Sequence, residues 1–467
     1  MILVMKFGGT ALKNAVGYLS AAEAVRRSVV EGCQVIAVAS AMEGMTERLR
    51  ELALKASNGA ADFARNSLKD IHSAHVETLK HVCRGMEDEA TPELRELIGE
   101  LEKAVSGILY LREVTPRSMD YLQSFGDRFS SIILEYALNA AGLKAKRLTG
   151  GECGILTDDR YGDAKPLMEV SRAQIEERLK PLLAEGFVPV VAGSMGQTQE
   201  GYISTLGPGG ADYAAMLIAS AVGAHEVWIW SGVDGLMTAD PAIEPEAKVI
   251  PNISYEEALE MAFFGAKILH PKAIRLAERF QIPVKVKNLL NPDAVGSEIA
   301  SRARRGGGGV VKAVTIIRDV ALISIEGAGT VDASEVVAKT FAALSKLGVH
   351  VLMISQGSSQ SNISLIIPGE ELGRTVSGLE LTLTGSDYVK NVSFEQNLCV
   401  LAVVGEGMKG TPGVAARVFK AVAEKGINVR MIAQGSSEAN ISFAVQESDG
   451  EEAVKALHRE FKLHETC

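Results

Sequence analysis

Cysteine is scarce in this chain of 467 residues: Cys33, Cys83, Cys153, Cys399 and Cys467 lie far apart and are odd in number. No C-x-x-C pair occurs, which argues against a disulfide framework or a zinc site and favours a reducing, cytosolic setting. No apolar run is long enough to cross a bilayer. The opening residues, Ile2-Leu3-Val4-Met5, read as a strand and lack the basic lead of a secretory signal, so a cytoplasmic protein is expected. There is no dense Lys/Arg block and the net charge is −10, so neither nucleic acid nor membrane is an expected partner. A Walker A sequence, G-x-x-x-x-G-K-[ST], is also absent.

What remains is an ordinary globular composition, 47% apolar and 23% charged, in a chain too long for one core. Residues 1–40 read strand, glycine turn, helix, strand, the pattern of a parallel sheet with crossover helices. Residues 46–113 are rich in Ala, Leu, Glu and Lys and read as helical, with no chemistry of their own. Short apolar runs at Phe187–Val191, Val227–Trp230 and Pro283–Val286 suit strands buried on both faces. The first 300 residues therefore read as a mainly parallel α/β sandwich. Residues 301–312, with four successive glycines at 306–309, read as a linker.

After the linker the chain repeats itself. Val351–Leu365 aligns with Val429–Phe443, and in the same register Ile323–Gly329 aligns with Leu401–Gly407. The matched positions are largely polar turn residues, which favours two small ligand-binding modules, 313–390 and 391–467, over a bare scaffold.

Four segments carry candidate chemistry. Lys6-Phe7-Gly8-Gly9-Thr10 follows the first strand and precedes a helix, so the Gly8–Gly9 backbone and the helix N-terminus can approach a phosphate while Lys6 adds a charge. A Gly-Gly pair also serves a plain tight turn. Thr205-Leu-Gly-Pro-Gly-Gly-Ala-Asp212 places Gly207, Gly209 and Gly210 at a second helix start. Asp212 could orient the lysines or simply cap the helix. Gly265-Ala-Lys-Ile-Leu-His-Pro271 offers Lys267 as a second cation for the phosphates, with His270 read as structural. Residues 230–241, with Ser231, Asp234, Gly235 and Asp240, could wrap a nucleotide or be merely a loop. Glycine turns that each follow a strand point to the carboxyl edge of a parallel sheet, where nucleotides bind.

Together these segments resemble the aspartokinase family over essentially the whole chain. The resemblance rests on KFGGT at 6–10, SAMEGMT at 40–46, TPRSMDYLQSFGDR at 115–128, GGECGILTD at 150–158, TLGPGGAD at 205–212, VDGLMTADP at 233–241 and EALEMAFFGAKILHP at 257–271, followed by the paired QGSS-x-x-NIS of tandem ACT domains. It implies an amino-acid-kinase fold, a three-layer α/β/α sandwich, with two βαββαβ ferredoxin-like ACT domains. It implies phosphorylation of the aspartate side-chain carboxylate by MgATP, feedback by lysine or threonine, and a homo-oligomer. Mapped by motif, Lys6, Lys267 and Asp212 resemble the catalytic set, and Ser40, Thr46, Asp127 and Arg128 the substrate contacts. Gln356, Asn362, Gln434 and Asn440 match the effector positions. Mg²⁺ is expected on the ATP phosphates, with no metal cluster in the protein itself.

The chain departs from the family where substrate and base are read. Asp127 stands where glutamate is usual, Pro208 where an arginine would grip a carboxylate, and Ala211 where serine is usual. Gly232, Met237 and Ala242 replace aspartate, tyrosine and arginine, and Ala11 replaces serine. Two other readings therefore stand beside aspartate phosphorylation: a kinase for a different acid or carbamate, and a catalytically weakened amino-acid-binding regulator. Retention of Lys6, Asp212 and Lys267 favours an enzyme.

Overall fold

The computed structural model describes residues 1–266, 268–301, 309–327, 333–356, 362–383 and 389–465. The linker residues 302–308, the turn residues 357–361 of the first repeat and Lys267 lie outside the described residues. The chain divides into two compact units. The first comprises Met1–Leu236, Pro251–Tyr255 and Ile268–Ala303; the second comprises Met237–Ile250, Glu256–Lys267 and Arg304–Cys467. Two stretches from before residue 300 thus belong to the second unit.

The first unit opens with β1 (Ile2–Phe7), α1 (Ala15–Val30) and β2 (Gln34–Ala39). Then come α2 (Met45–Ser57), α3 (Ala61–Val82), α4 (Glu87–Leu111) and α5 (Pro116–Ala140). It continues through β3 (Ala145–Leu148), the single turn α6 (Gly150–Cys153), α7 (Met168–Ala184), β4 (Val188–Ala192), β5 (Met195–Gln197), β6 (Ile203–Thr205), α8 (Gly210–Val222) and β7 (Glu226–Ser231). β8 (Asn252–Ser254) leads into α9 (Tyr255–Phe263), most of which belongs to the second unit. α10 (Pro271–Phe280), β9 (Val284–Asn288) and β10 (Ser297–Ala300) complete the first.

Its sheet runs β3-β4-β2-β1-β7-β9-β10-β8, and the strands from β3 to β9 are all parallel. Their carboxyl ends therefore share one edge. The core of β1, Leu3–Met5, is wholly buried, as its unbroken apolar run requires. The helical stretch after residue 45 folds as α2, α3 and α4 packed with α5 into one core; Phe125 and Phe129 of α5 are fully buried there. α5 starts cleanly: Thr115 and Ser118 form a reciprocal capping box and Pro116 holds the first helical position.

The second unit contains β11 (Ala313–Gly327), α11 (Ala333–Leu347), β12 (Met353–Gln356), β13 (Asn362–Pro368), α12 (Leu372–Leu383) and β14 (Val389–Val404). α13 (Val414–Ala423), β15 (Met431–Ala433), β16 (Asn440–Gln446) and α14 (Gly450–Glu460) follow. Its sheet order is β12-β13-β11-β14-β16-β15, antiparallel throughout. Each repeat shows the expected strand-helix-strand-strand-helix order. The fourth strand of the second repeat, however, comes from upstream: residues 313–317 of β11 pair with Leu401, Val400 and their neighbours in β14. β11 and β14 each run through both repeats, so the boundary at 390/391 falls inside β14.

Candidate active site

Lys6 sits next to the last residue of β1 and its ammonium lies 2.7 Å from Asp212 Oδ1 at the start of α8. Both side chains are nearly buried, at 12% and 9% exposure, so the pair is weakly screened. A Cβ on Gly8 would come within 3.3 Å of Lys6 Nζ, which places the ammonium directly over the first glycine turn. The Gly8 N–H is itself spent on Trp230 O of β7, at 3.0 Å. Gly9 has no room for a side chain, because its Cβ would stand 2.9 Å from Ala41 O in the loop after β2. Gly207 and Gly209 hold left-handed backbone, at φ +72° and +68°, which turns β6 sharply into α8. Gly210 opens α8 against Ser194, whose Cβ would be 3.0 Å away from a Cβ there. Lys6, Asp212, Gly8, Gly9, Gly207, Gly209 and Gly210 thus gather at the carboxyl edge of the sheet.

Ser40 follows β2, half-buried, with its N–H on Phe7 O at 3.1 Å. Thr46 is exposed in the first turn of α2. Asp127 lies beneath this loop and is only 3% exposed. Its Oδ1 accepts the Ala41 N–H at 2.7 Å, and its Oδ2 accepts the Ser194 N–H at 2.9 Å together with the Ser194 hydroxyl. Burial pushes its carboxyl above the usual range, opposed by those hydrogen bonds and by the Lys6 charge. Both oxygens are occupied by the protein, so Asp127 joins two loops. The neighbouring Arg128 turns the other way, to Glu100 of α4 at 2.8 Å, with its guanidinium 4.7 Å from the centre of the Phe125 ring. Arg117 stacks over Tyr202 at 4.6 Å. Neither arginine is directed by these contacts to Ser40 or Thr46.

The loop after β7 is held by its own side chains. Ser231 Oγ accepts the Val233 N–H at 3.3 Å. Asp234 Oδ1 accepts from Asn288 and Asn291, at 2.7 and 3.2 Å. Gly235 has φ +155°. Asp240 belongs to the second unit, where it accepts the Ala242 N–H at 2.9 Å. His270 caps α10, with Nδ1 accepting the Lys272 N–H at 3.2 Å. Lys267, the second expected phosphate lysine, lies outside the described residues.

Among the four positions expected to meet an effector, Gln356, Asn362 and Gln434 are exposed. Asn440 is not: it is 8% exposed and donates its side-chain amide to Glu260 of α9. Among the described residues, no group of three or more His, Cys, Asp or Glu side chains is gathered so as to hold a metal ion, and no helix is long and apolar enough to cross a membrane.

Sequence reasoning missed Asp120. This α5 residue is wholly buried and accepts the Thr205 N–H and hydroxyl, both at 2.7 Å, and the Gly162 N–H at 3.0 Å. The available signal was a carboxylate seven residues before Asp127, hence on the same, apolar face of the helix.

The profile of the amino acid kinase family matches residues 1–288, and an ACT domain profile matches 323–382 and 401–461. The chain is 32% identical to chloroplastic aspartokinase 3 of Arabidopsis thaliana over 99% of its length and 82% of the relative's. It is 36% identical to an aspartokinase of Thermus thermophilus over 74% of its length and 84% of the relative's. Among solved structures, E. coli aspartokinase III in complex with aspartate and ADP (R-state) is similar, with a TM-score of 0.85 and 28% identity, covering 99% of this chain and 100% of that one. The same enzyme with lysine and aspartate (T-state) gives a TM-score of 0.77 and 26% identity over 98% of this chain and 99% of that one.

Proposed function

We infer that this chain, which belongs to the aspartokinase branch of the amino acid kinase family, transfers the terminal phosphoryl group of ATP to the side-chain carboxylate of L-aspartate, giving 4-phospho-L-aspartate and ADP. The observation that carries the reading is the Lys6–Asp212 pair over the first glycine turn, beside the N-terminus of α8. That helix start and the Lys6 ammonium suit a polyphosphate.

The acceptor explains what the site does not need. A free aspartate side chain has a pKa of about 3.9 and is already ionised at neutral pH, so no catalytic base has to remove a proton. One carboxylate oxygen attacks the γ-phosphorus, the bond to the bridging oxygen breaks, and its electron pair leaves on ADP. The protein's task is alignment and neutralisation of the charge on the transferring group. Lys6 supplies one full charge, and Asp212 fixes its position. Mg²⁺ is proposed to enter on the ATP phosphates, where it would neutralise further charge. Lys267 is proposed as a second cation, and Ser40 and Thr46 as contacts to the amino acid. Asp127 sets the loop that presents them. Ser231, Asp234, Gly235 and Asp240 are proposed on the nucleotide side.

The tandem ACT repeats support feedback control by an amino acid, lysine or threonine, and assembly as a homo-oligomer; the scattered cysteines support a cytoplasmic setting. The proposed reaction would open the biosynthesis of lysine, threonine and methionine. The E. coli structure with lysine and aspartate makes lysine the first effector to test.

The experiment is ATP turnover with a panel of amino acids and hydroxylamine to trap acyl phosphate. Aspartyl hydroxamate is expected. Because Pro208 and Asp127 depart from the family pattern, turnover with another acid alone would replace the acceptor. Silence across the panel, with lysine or threonine still bound, would make the chain a regulator.

A further inference from the structure

α5 carries two buried carboxylates, Asp120 and Asp127, seven residues apart. Seven residues are close to two helical turns, so the two side chains leave one face of the helix. Asp127 takes the loops after β2 and β4 through Ala41 and Ser194. Asp120 takes two other segments: Thr205, at the end of β6, and Gly162, in the turn before α7. These two segments meet again beyond the carboxylate. The Ala164 N–H donates to Thr205 O at 2.9 Å, and a Cβ on Gly207 would come within 2.9 Å of Gly162 O. Asp120 therefore fixes both walls of the turn that carries Gly207 and Gly209 into α8, where Asp212 meets Lys6.

We propose that Asp120 is a positioning residue for phosphate binding: it touches no substrate, but its carboxylate sets where the Thr205–Gly210 turn and the start of α8 stand. The inference rests on the phosphoryl-transfer reading and adds a division of labour along α5, Asp120 serving the nucleotide side and Asp127 the amino-acid side. Three donors in fixed directions make the carboxylate a rigid clamp. A cradle moved far enough to lose one good hydrogen bond to a phosphate loses about 10-fold to 100-fold in affinity.

The variants separate this role from bulk stability. Asp120→Ala removes every acceptor. Asp120→Asn can keep an oxygen towards the two N–H groups and turn its NH₂ to the Thr205 hydroxyl, which can accept instead. Thr205→Val removes only the hydroxyl contact. Each folded variant is measured for MgADP affinity by calorimetry, for KM of ATP and of the amino acid, and for melting temperature. The expected result is MgADP affinity about 10-fold to 100-fold weaker in Asp120→Ala and several-fold weaker in Thr205→Val, with recovery in Asp120→Asn and an amino-acid KM within about twofold of the parent. Should Asp120→Ala fail to fold, Thr205→Val carries the decision. Wild-type MgADP affinity in Thr205→Val and in any folded Asp120→Ala, whatever the melting temperature does, would overturn the proposal. MgADP binding needs no acceptor, so a parent protein that binds it and phosphorylates no aspartate would sink the proposed reaction and leave this inference standing.

Discussion

The side-chain amide of Asn440, at the start of β16, donates to the carboxylate of Glu260 in α9, 180 residues earlier in the chain. Asn362, at the matching position of the first repeat, stands exposed at the start of β13. One signature asparagine is engaged by another side chain of the protein, and the other is exposed to solvent. Burial already pushes the Glu260 carboxyl up, and the Asn440 amide opposes that shift.

The two asparagines should therefore respond differently. Asn362→Ala should weaken inhibition by the effector about tenfold, the value of one good hydrogen bond. Asn440→Ala should leave the inhibition constant within about twofold while costing about 1–3 kcal/mol of stability, because Glu260 loses its donor. Inhibition curves and thermal melts of both variants check this. Loss of inhibition in Asn440→Ala at an unchanged melting temperature would reverse the assignment.

Lys6 makes the sharpest demand on the catalytic reading. Lys6→Met should lower turnover about 100-fold to 1,000-fold, the usual effect of removing one preorganised charge from a developing anion. It also leaves Asp212 nearly buried without its cation, so part of any loss could be structural. The double variant Lys6→Met/Asp212→Asn separates the two effects. It should regain the melting temperature and keep the turnover defect. Hydroxamate formation at near-parent rates in either variant would remove the phosphate site from this edge of the sheet.

Much of the parallel sheet was readable because its strands are short apolar runs between glycine turns; β2 matches its expected span, and β1, β4, β7 and β9 extend only a few residues beyond the expected runs. The glycine turns and Asp212 were legible for a related reason: backbone that must approach closely leaves glycine in the sequence. The clamps were not. Asp120 meets Thr205 across 85 residues, and Asp127 meets Ser194 across 67, and neither pairing leaves a periodic trace. The strand 313–317 of β11 has the same apolar character whichever repeat it joins, so its pairing with the second repeat could not be read locally. The motif around Asp127 suggested a substrate contact, and only the three donors around it reveal a joint between loops.

A second illegible feature predicts acid sensitivity. His75 is wholly buried among α2–α5, its Nδ1 paired with Ile71 O at 2.7 Å and its ring 4.7 Å from that of Phe129. Among the described residues, Nε2 has no hydrogen-bond partner. Burial, with the nearby Arg48 charge, lowers its pKa from 6.5 to about 4. The unfolded chain therefore binds more protons than the folded one between those values, and stability falls as pH drops through that window. The shift corresponds to about 3 kcal/mol. His75→Leu should flatten the stability curve between pH 7 and pH 4 relative to the parent. Urea denaturation across that range measures it, and parallel curves would contradict the assignment. The raised carboxyls of Asp120 and Asp127 act with the opposite sign and are common to both proteins, so the difference isolates His75.

The two carboxylates of α5 should also tolerate the same substitution unequally. At Asp120, Oδ2 faces the two N–H groups of Gly162 and Thr205, and Oδ1 faces only a hydroxyl. A hydroxyl can donate or accept, so an asparagine can satisfy every partner there. At Asp127 each oxygen faces a backbone N–H, Ala41 on one side and Ser194 on the other. An asparagine must turn its NH₂ towards one of them, leaving a buried donor against a donor. Asp127→Asn should therefore cost about 1–3 kcal/mol of stability while Asp120→Asn costs well under 1 kcal/mol. An oxygen kept on Ser194 preserves two donors, so the NH₂ turns to Ala41, in the loop that carries Ser40 towards α2, and Asp127→Asn should raise the amino-acid KM more than the ATP KM. Chemical denaturation and the two KM values measured side by side test both parts. Equal costs for the two variants would mean that the oxygens are not oriented as these hydrogen bonds require.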